Sequence, residues 1–204
     1  AKDLIVGMVA YFYAPLPKGS WTPPHLQGRA VKGHETLLQA AQIVLRKRPN
    51  VKFLLVGKGW GTIGEEYERE LKATAKRLGL RRAVIFTGPR SDVPDVLAGF
   101  DVSVQCSLNE NLGGTIESLL MARPTVATAV GGMVDSVRHE QTGLLVPPDD
   151  PQRLADAILE LLDNPQQARL LGENGRQLML RGFTLGKTVE AVSYTHLRAH
   201  ETGR

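Results

Sequence analysis

Between Val102 and Gly132 the chain runs VSVQCSLNENLGGTIESLLMARPTVATAVGG, and the residues able to do chemistry are concentrated there. The run reads as a short apolar strand from Val102 to Gln105, a turn holding Glu110, Asn111, Gly113 and Gly114, a helix, a second strand from Thr125 to Ala127, and another glycine turn. A helix that opens at paired glycines directs its free N–H groups, and the positive end of its dipole, into the space beyond the strand end, where an anion is stabilised. Glu110 ahead of the turn and Glu117 one turn into the helix set two carboxylates beside that space, where they can accept hydrogen bonds from sugar hydroxyls. A phosphate cradle flanked by hydroxyl acceptors describes a nucleotide-sugar site. Glu117 also has a purely structural explanation, because an acid in a first helical turn gains about 0.3–1 kcal/mol from the dipole. Glu110 lies in the preceding loop and has none.

Three other constellations need weighing. Arg29 and Lys32, in GRAVKGHE, sit just before a helix, where a lysine can give a diphosphate leaving group its counter-charge. A solvated basic helix entrance is the plainer account of the pair taken alone. Gly57, Gly59, Gly61 and Gly64 follow a strand, and GWGTIG has dinucleotide-binding spacing. It does not open the sheet, however, and the next strand ends in Thr87 where a ribose-binding acid is needed. Nor does Gly-Lys-Ser/Thr follow, so the run beginning at Gly57 is either a flexible turn at a ligand-facing edge or a direct ligand contact. Cys106 with His34 or His139 could be drawn as nucleophile and base. A free cysteine at a strand end is more simply a small buried hydrophobe, and His34 a residue that packs the helix start.

The elements that must position these residues belong to one domain. A chain of 204 residues buries one good core, and 42% hydrophobic with 23% charged content is that of a globular protein. The net charge of +4 favours an anionic ligand or a negatively charged membrane surface. Scattered basic residues, 5% aromatics and no nucleic-acid motif argue against nucleic acid as partner. One cysteine excludes an internal disulfide framework and a cysteine zinc site, which favours a cytoplasmic setting. The N-terminal apolar run is followed by a Pro-rich loop and reads as a buried strand, and no stretch reaches the ~20 apolar residues of a membrane helix. Ala1 in place of Met points to a fragment or processed chain.

In order, strands are expected at Leu4 to Tyr11, Val51 to Val56, Val84 to Thr87, Val102 to Gln105, Thr125 to Ala127 and Gly143 to Val146. Helices are expected at Gly33 to Lys47, Glu65 to Leu78, Val93 to Ala98, after Gly114, from Pro151 behind an Asp150 cap, and at Gln166 to Leu180. The loop holding Pro15, Pro17, Pro23 and Pro24 is too long for a tight connection and reads as functional or mobile. Strand and helix alternate throughout. That predicts an α/β, doubly wound, Rossmann-like parallel sheet of about six strands, with its ligand at the carboxyl ends of the strands. The domain spans 1–192. Residues 193–204, SYTHLRAHETGR, break off a helix expected from Leu185 to Val192 and resemble an adapter-derived tail outside the fold.

The segments KGHETLLQAA, FLLVGKG, VIFTG, SLNENLGGTIESLLMARPTVATAVGGMVDSV and TGLLVPPDDPQRLADAILELL together resemble the C-terminal, nucleotide-sugar-binding half of a retaining GT-B glycosyltransferase of the family 4 type. The resemblance covers nearly everything from Leu4 to Val192. It implies that Glu117 holds the ribose hydroxyls, and that Glu110, with Asn111, Leu112, Gly113, Gly114 and Thr115 through their backbone, holds the donor sugar and phosphates. Lys32 would face the diphosphate, while Phe86, Thr87 and Gly88 would hold the base, with Arg90 nearby. No cofactor is implied, the nucleotide-sugar being the donor substrate, and the absence of an Asp-x-Asp motif agrees with transfer without a metal. Two features depart from the family pattern. Six residues rather than seven separate Glu110 and Glu117, and the arginine at the end of the first strand is replaced, with Arg29 and Lys18 as candidate substitutes. The resemblance further implies a parent with an N-terminal acceptor domain, attached peripherally at the inner membrane face if at all, so that this half alone transfers nothing. A nucleotide-sugar 2-epimerase of the same architecture and a non-catalytic nucleotide-binding module are the alternatives.

Overall fold

The computed structural model describes residues 3–19, 22–110, 113–183 and 186. Six parallel strands form its sheet: β1 (Leu4–Val9), β2 (Val51–Val56), β3 (Val84–Gly88), β4 (Val102–Gln105), β5 (Thr125–Thr128) and β6 (Leu144–Val146). Their spatial order is β3-β2-β1-β4-β5-β6. Helices cover both faces of the central strands, whose polar residues Ser103, Gln105, Thr125 and Thr128 are buried with the apolar ones. All four residues of β4 and of β5 are buried, as a fully covered parallel sheet requires. Val6 pairs with Phe53 on one side of β1 and with Val102 on the other. The order of connection reverses between β1 and β4, and the crevice beyond their carboxyl ends is where such sheets bind ligands.

Among the described residues there are seven α-helices, α1 (His34–Lys47), α2 (Gly61–Arg77), α3 (Val93–Ala98), α4 (Gly113–Leu120) and α5 (Met133–Ser136) between strands, and α6 (Pro151–Asp163) and α7 (Pro165–Gly182) after β6. Leu37, Ala40, Ala41 and Val44 of α1 pack with Leu154, Ile158 and Leu161 of α6 and with Tyr67 and Leu71 of α2 in the largest core cluster. Each such aliphatic or aromatic side chain contributes about 1.5–3 kcal/mol by leaving water. Leu97 of α3 joins Val56 and Phe100 in a separate cluster, and Leu119, Met133 and Met179 tie α4, α5 and α7 together. Asp150 caps α6, its carboxylate accepting from the Arg153 N–H at 2.9 Å, and Pro151 occupies the first turn.

Two local readings are refined, and one helix was not expected. Helix α2 begins a turn earlier than its amphipathic pattern does, so Gly61 and Gly64 are helical rather than a flexible turn; Gly64 lets the helix approach the Phe12 carbonyl, which would lie 2.7 Å from a Cβ there. The Pro-rich segment is held by its own bonds. Leu16 donates to the Arg29 carbonyl at 2.9 Å, Gly28 to the Leu16 carbonyl at 2.7 Å, and the Gln27 side chain to the carbonyls of Gly19 and Thr22. Helix α5, only four residues long, follows the glycine turn after β5 with no periodicity to announce it. Apart from Gly186, the expected helix at 185–192 lies outside the described residues, as does the tail at 193–204.

Candidate functional site

The crevice at the switch point is a cavity of about 410 Å³. The end of β1 contributes Val9 and Ala10, the end of β2 contributes Val56, Gly57 and Lys58, and the segment after β3 contributes Pro89 and Arg90. Gln105 closes it at β4, Gly114 and Glu117 border it from α4, and Lys32 enters from the turn before α1. Tyr11 and Tyr13 complete the wall.

Lys32 is positioned by a close backbone approach. Gly33 adopts φ +70°, and a Cβ there would fall 2.0 Å from the Cys106 carbonyl oxygen, so only glycine permits the contact. Beside it, Leu108 donates its N–H to the Val31 carbonyl at 2.7 Å. These contacts clamp the 31–33 turn to the segment leaving β4. Lys32 and Glu110 consequently meet in an ion pair whose side chains are 18% and 9% exposed. The Ser107 hydroxyl donates to the same Glu110 oxygen at 3.2 Å, and Thr128 holds the Ser107 carbonyl at 2.6 Å. On the other side of the loop, Gly131 has φ +48°, and a Cβ there would collide with the Glu110 carbonyl at 1.8 Å. Glu110 is thus fixed from two directions before any ligand arrives.

Gln105 is a site residue that sequence reasoning missed. It is 2% exposed, its amide donates weakly to the Val9 carbonyl at 3.4 Å, and its Oε1 would lie 2.7 Å from a Cβ on Gly114. The amide therefore bridges the ends of β1 and β4 and supports the first turn of α4. The polar residues Ser103 and Gln105 in the strand run VSVQ were the available signal. Tyr11, Tyr13 and Lys58 were missed too, and only their nearness to strand ends hinted at them.

Of the residues singled out from sequence, Lys32, Gly57, Arg90, Gly114 and Glu117 line this cavity. Glu110 borders the adjoining one. Thr87 lines a neighbouring cavity that shares Arg90, and its hydroxyl donates to the Gly88 carbonyl at 2.9 Å. That carbonyl also accepts from Gly57 at 3.1 Å. Arg90 donates from Nε to Asp92 at 2.7 Å, which raises the arginine pKa and lowers that of Asp92. Gly113 opens α4, but the Thr115 hydroxyl is buried against Ser136 at 2.6 Å, so only its backbone faces α4's start. Arg29 is outside the cavity, its guanidinium paired with Asp149, which raises its pKa; Lys18 does not line the cavity either. The wall at the end of β1 is built of tyrosine instead. Asn111 and Leu112 lie outside the described residues.

The cysteine and histidine are structural. Burial lowers the His34 pKa to about 3, with the Lys32 charge adding to the effect, and the ring packs 4.6 Å from Phe12 between centroids. Burial pushes the Cys106 thiol up to about 12, and it donates to the Gly33 carbonyl at 3.1 Å. Both groups are held neutral, the reverse of a thiolate–imidazolium pair. Among the described residues no cluster of three or more His, Cys, Asp or Glu is placed to hold a metal ion, and no helix is long and apolar enough to cross a membrane.

The sequence pattern of the glycosyl transferases group 1 family matches residues 27–178. The chain belongs to that family. Among its relatives in the group 1 family, a D-inositol 3-phosphate glycosyltransferase of Acidothermus cellulolyticus is 35% identical over 171 residues, covering 79% of this chain and 37% of the relative. The putative glycosyltransferase EpsD of Bacillus subtilis is 30% identical over 163 residues, covering 79% and 41%. In structure the chain is similar to Anabaena Alr3699/HepE in complex with UDP, with a TM-score of 0.80 and 25% identity over 97% of this chain and 49% of that one. The C-terminal domain of the group 1 protein LpcC from Francisella tularensis shares the fold, with a TM-score of 0.72 over 90% of this chain and 88% of that one. The chain spans less than half the length of these two curated relatives. Its fold is the Rossmann-like C-terminal half of a GT-B glycosyltransferase.

Proposed function

We propose that this domain binds the nucleoside diphosphate of a sugar nucleotide, and that it is the donor half of an enzyme transferring that sugar to an acceptor with retention of configuration. The observation that carries the reading is the convergence of Lys32, the glycine start of α4 and Glu117 on one cavity at the β1/β4 switch point. UDP bound to the structurally similar Anabaena protein supports it. The diphosphate lies against the first turn of α4, where N–H groups and the dipole favour negative charge. Glu117, exposed at the cavity edge, accepts hydrogen bonds from the ribose hydroxyls. As the bond between sugar and diphosphate breaks, charge grows on the departing phosphate oxygen, and Lys32 with the helix start stabilises it. Glu110, at the junction with the adjoining cavity, accepts from hydroxyls of the donor sugar. The acceptor domain belongs to the part of the relatives' length that this chain does not span.

Thermal unfolding with UDP or GDP tests the reading. A ligand at 100 times its Kd stabilises by about 2.7 kcal/mol, which raises Tm by ~5–10 °C for a domain of this size. Glu117→Ala abolishes the protection. Equal protection of both proteins removes Glu117 from the site.

A further inference from the structure

Beside the donor cavity lies a second, larger one of about 720 Å³, which the family resemblance does not assign. We infer that it is a saccharide subsite, taking the pyranose ring of the acceptor on the donor half itself; this rests on the reading above. Its walls combine two chemistries. Trp60 and Ile63 stand 58% and 69% exposed, a large apolar surface open to solvent. The same cavity is lined by Asn109, an exposed amide that both donates and accepts, and by the Lys32–Glu110 pair. A pyranose matches that combination: one face of the ring is made of C–H groups, which lie against an aromatic side chain, and its rim of hydroxyls needs polar partners such as the Asn109 amide. A purely apolar occupant would bury the Asn109 amide without compensation.

The aromatic wall is braced before any ligand binds. Tyr11 and Trp60 meet edge to face with centroids 4.9 Å apart, and Tyr13 and Trp60 at 5.9 Å. The backbone holds them in register: Phe12 bridges to Gly59, donates to the Lys58 carbonyl at 3.0 Å, and accepts from the Trp60 N–H at 3.1 Å. Rings fixed in this way lose little freedom on binding. Tyr13 and Lys32 line both cavities. A ring in the second cavity therefore sits next to the Lys32–Glu110 pair, at the boundary where the donor sugar is exposed to attack.

Saturation-transfer NMR on this chain with saturating UDP tests the subsite, using methyl α-glucopyranoside, methyl α-mannopyranoside and methyl N-acetyl-α-glucosaminide as probes. At least one glycoside receives saturation at its ring C–H protons. Affinity falls about fivefold in Trp60→Ala, the change that ~1 kcal/mol of aromatic contact carries, and is retained in Trp60→Phe. Protection by UDP stays the same in all three proteins. Equal transfer in wild type and Trp60→Ala, or no transfer to any of the glycosides, overturns the inference and leaves the aromatic wall as a surface for another part of the protein. Loss of UDP protection in the unaltered chain strikes the donor reading instead, and the glycoside result still decides the subsite.

Discussion

Removing Lys32 separates what the ion pair does for the fold from what it does for the ligand. In Lys32→Met the Glu110 carboxylate, in a side chain only 9% exposed, loses its cation and keeps the Ser107 hydroxyl among its partners. Breaking a fully buried pair from one side costs ~3–5 kcal/mol, and an exposed pair contributes about 0–1 kcal/mol. With exposures of 18% and 9% the loss lies between these limits, at ~1–3 kcal/mol. A loss of ~2 kcal/mol lowers Tm by about 4–8 °C. Glu110→Gln keeps an acceptor for Ser107 and costs less. The double variant, with neither charge, recovers stability toward wild type, leaving a coupling of ~1–2 kcal/mol in a cycle read by urea unfolding. UDP protection behaves differently, because Lys32 is then needed for its own charge: it is lost in Lys32→Met and stays lost in the double variant. Strictly additive stabilities would refute the ion pair, and UDP protection that returns with stability would refute a direct role for Lys32.

Two further outcomes follow from buried groups around the same turn. His34 has its folded pKa depressed from 6.5 to about 3, so below pH 6.5 the unfolded chain takes up a proton that the folded chain refuses. Its stabilising effect is complete above pH 6.5 and declines as pH falls toward 3, at up to ~1.4 kcal/mol per pH unit. Urea unfolding at pH 7, 6 and 5 shows this slope in wild type and a shallower one in His34→Leu; equal slopes would contradict it. Gly33→Ala strains a φ of +70° and drives a methyl into the Cys106 carbonyl. It costs more than ~3 kcal/mol, seen as a large drop in Tm or failure to accumulate folded protein, whereas a near-normal Tm would show that the turn before α1 is not clamped as described.

The fold was legible wherever one residue pattern had one physical meaning. Val51–Val56, Val93–Ala98 and Val102–Gln105 stand where the apolar runs and the Asp92 start place them. Helix α2 was read short because Gly61 and Gly64 signal a break locally, while in the fold Gly64 is required for the approach to Phe12. That the glycine start of α4 and Glu117 border the strand-end cavity was legible because their placement is local. Arg29 was not, since its partner Asp149 comes from beyond β6 and nothing near Arg29 announces it. The same holds for Tyr11, Tyr13 and Trp60. Two separate strand ends bring them together, and the parallel bridge of Phe12 with Gly59 that does so has no sequence signature.

Amide NMR during a UDP titration tests the central claim most directly. Saturable shifts at Gly57, Arg90, Gly114 and Glu117, around the cavity at the carboxyl ends of β1 to β4, are the result expected of a nucleoside diphosphate site there. Shifts confined to another face of the sheet, or none at millimolar UDP and GDP, would contradict it.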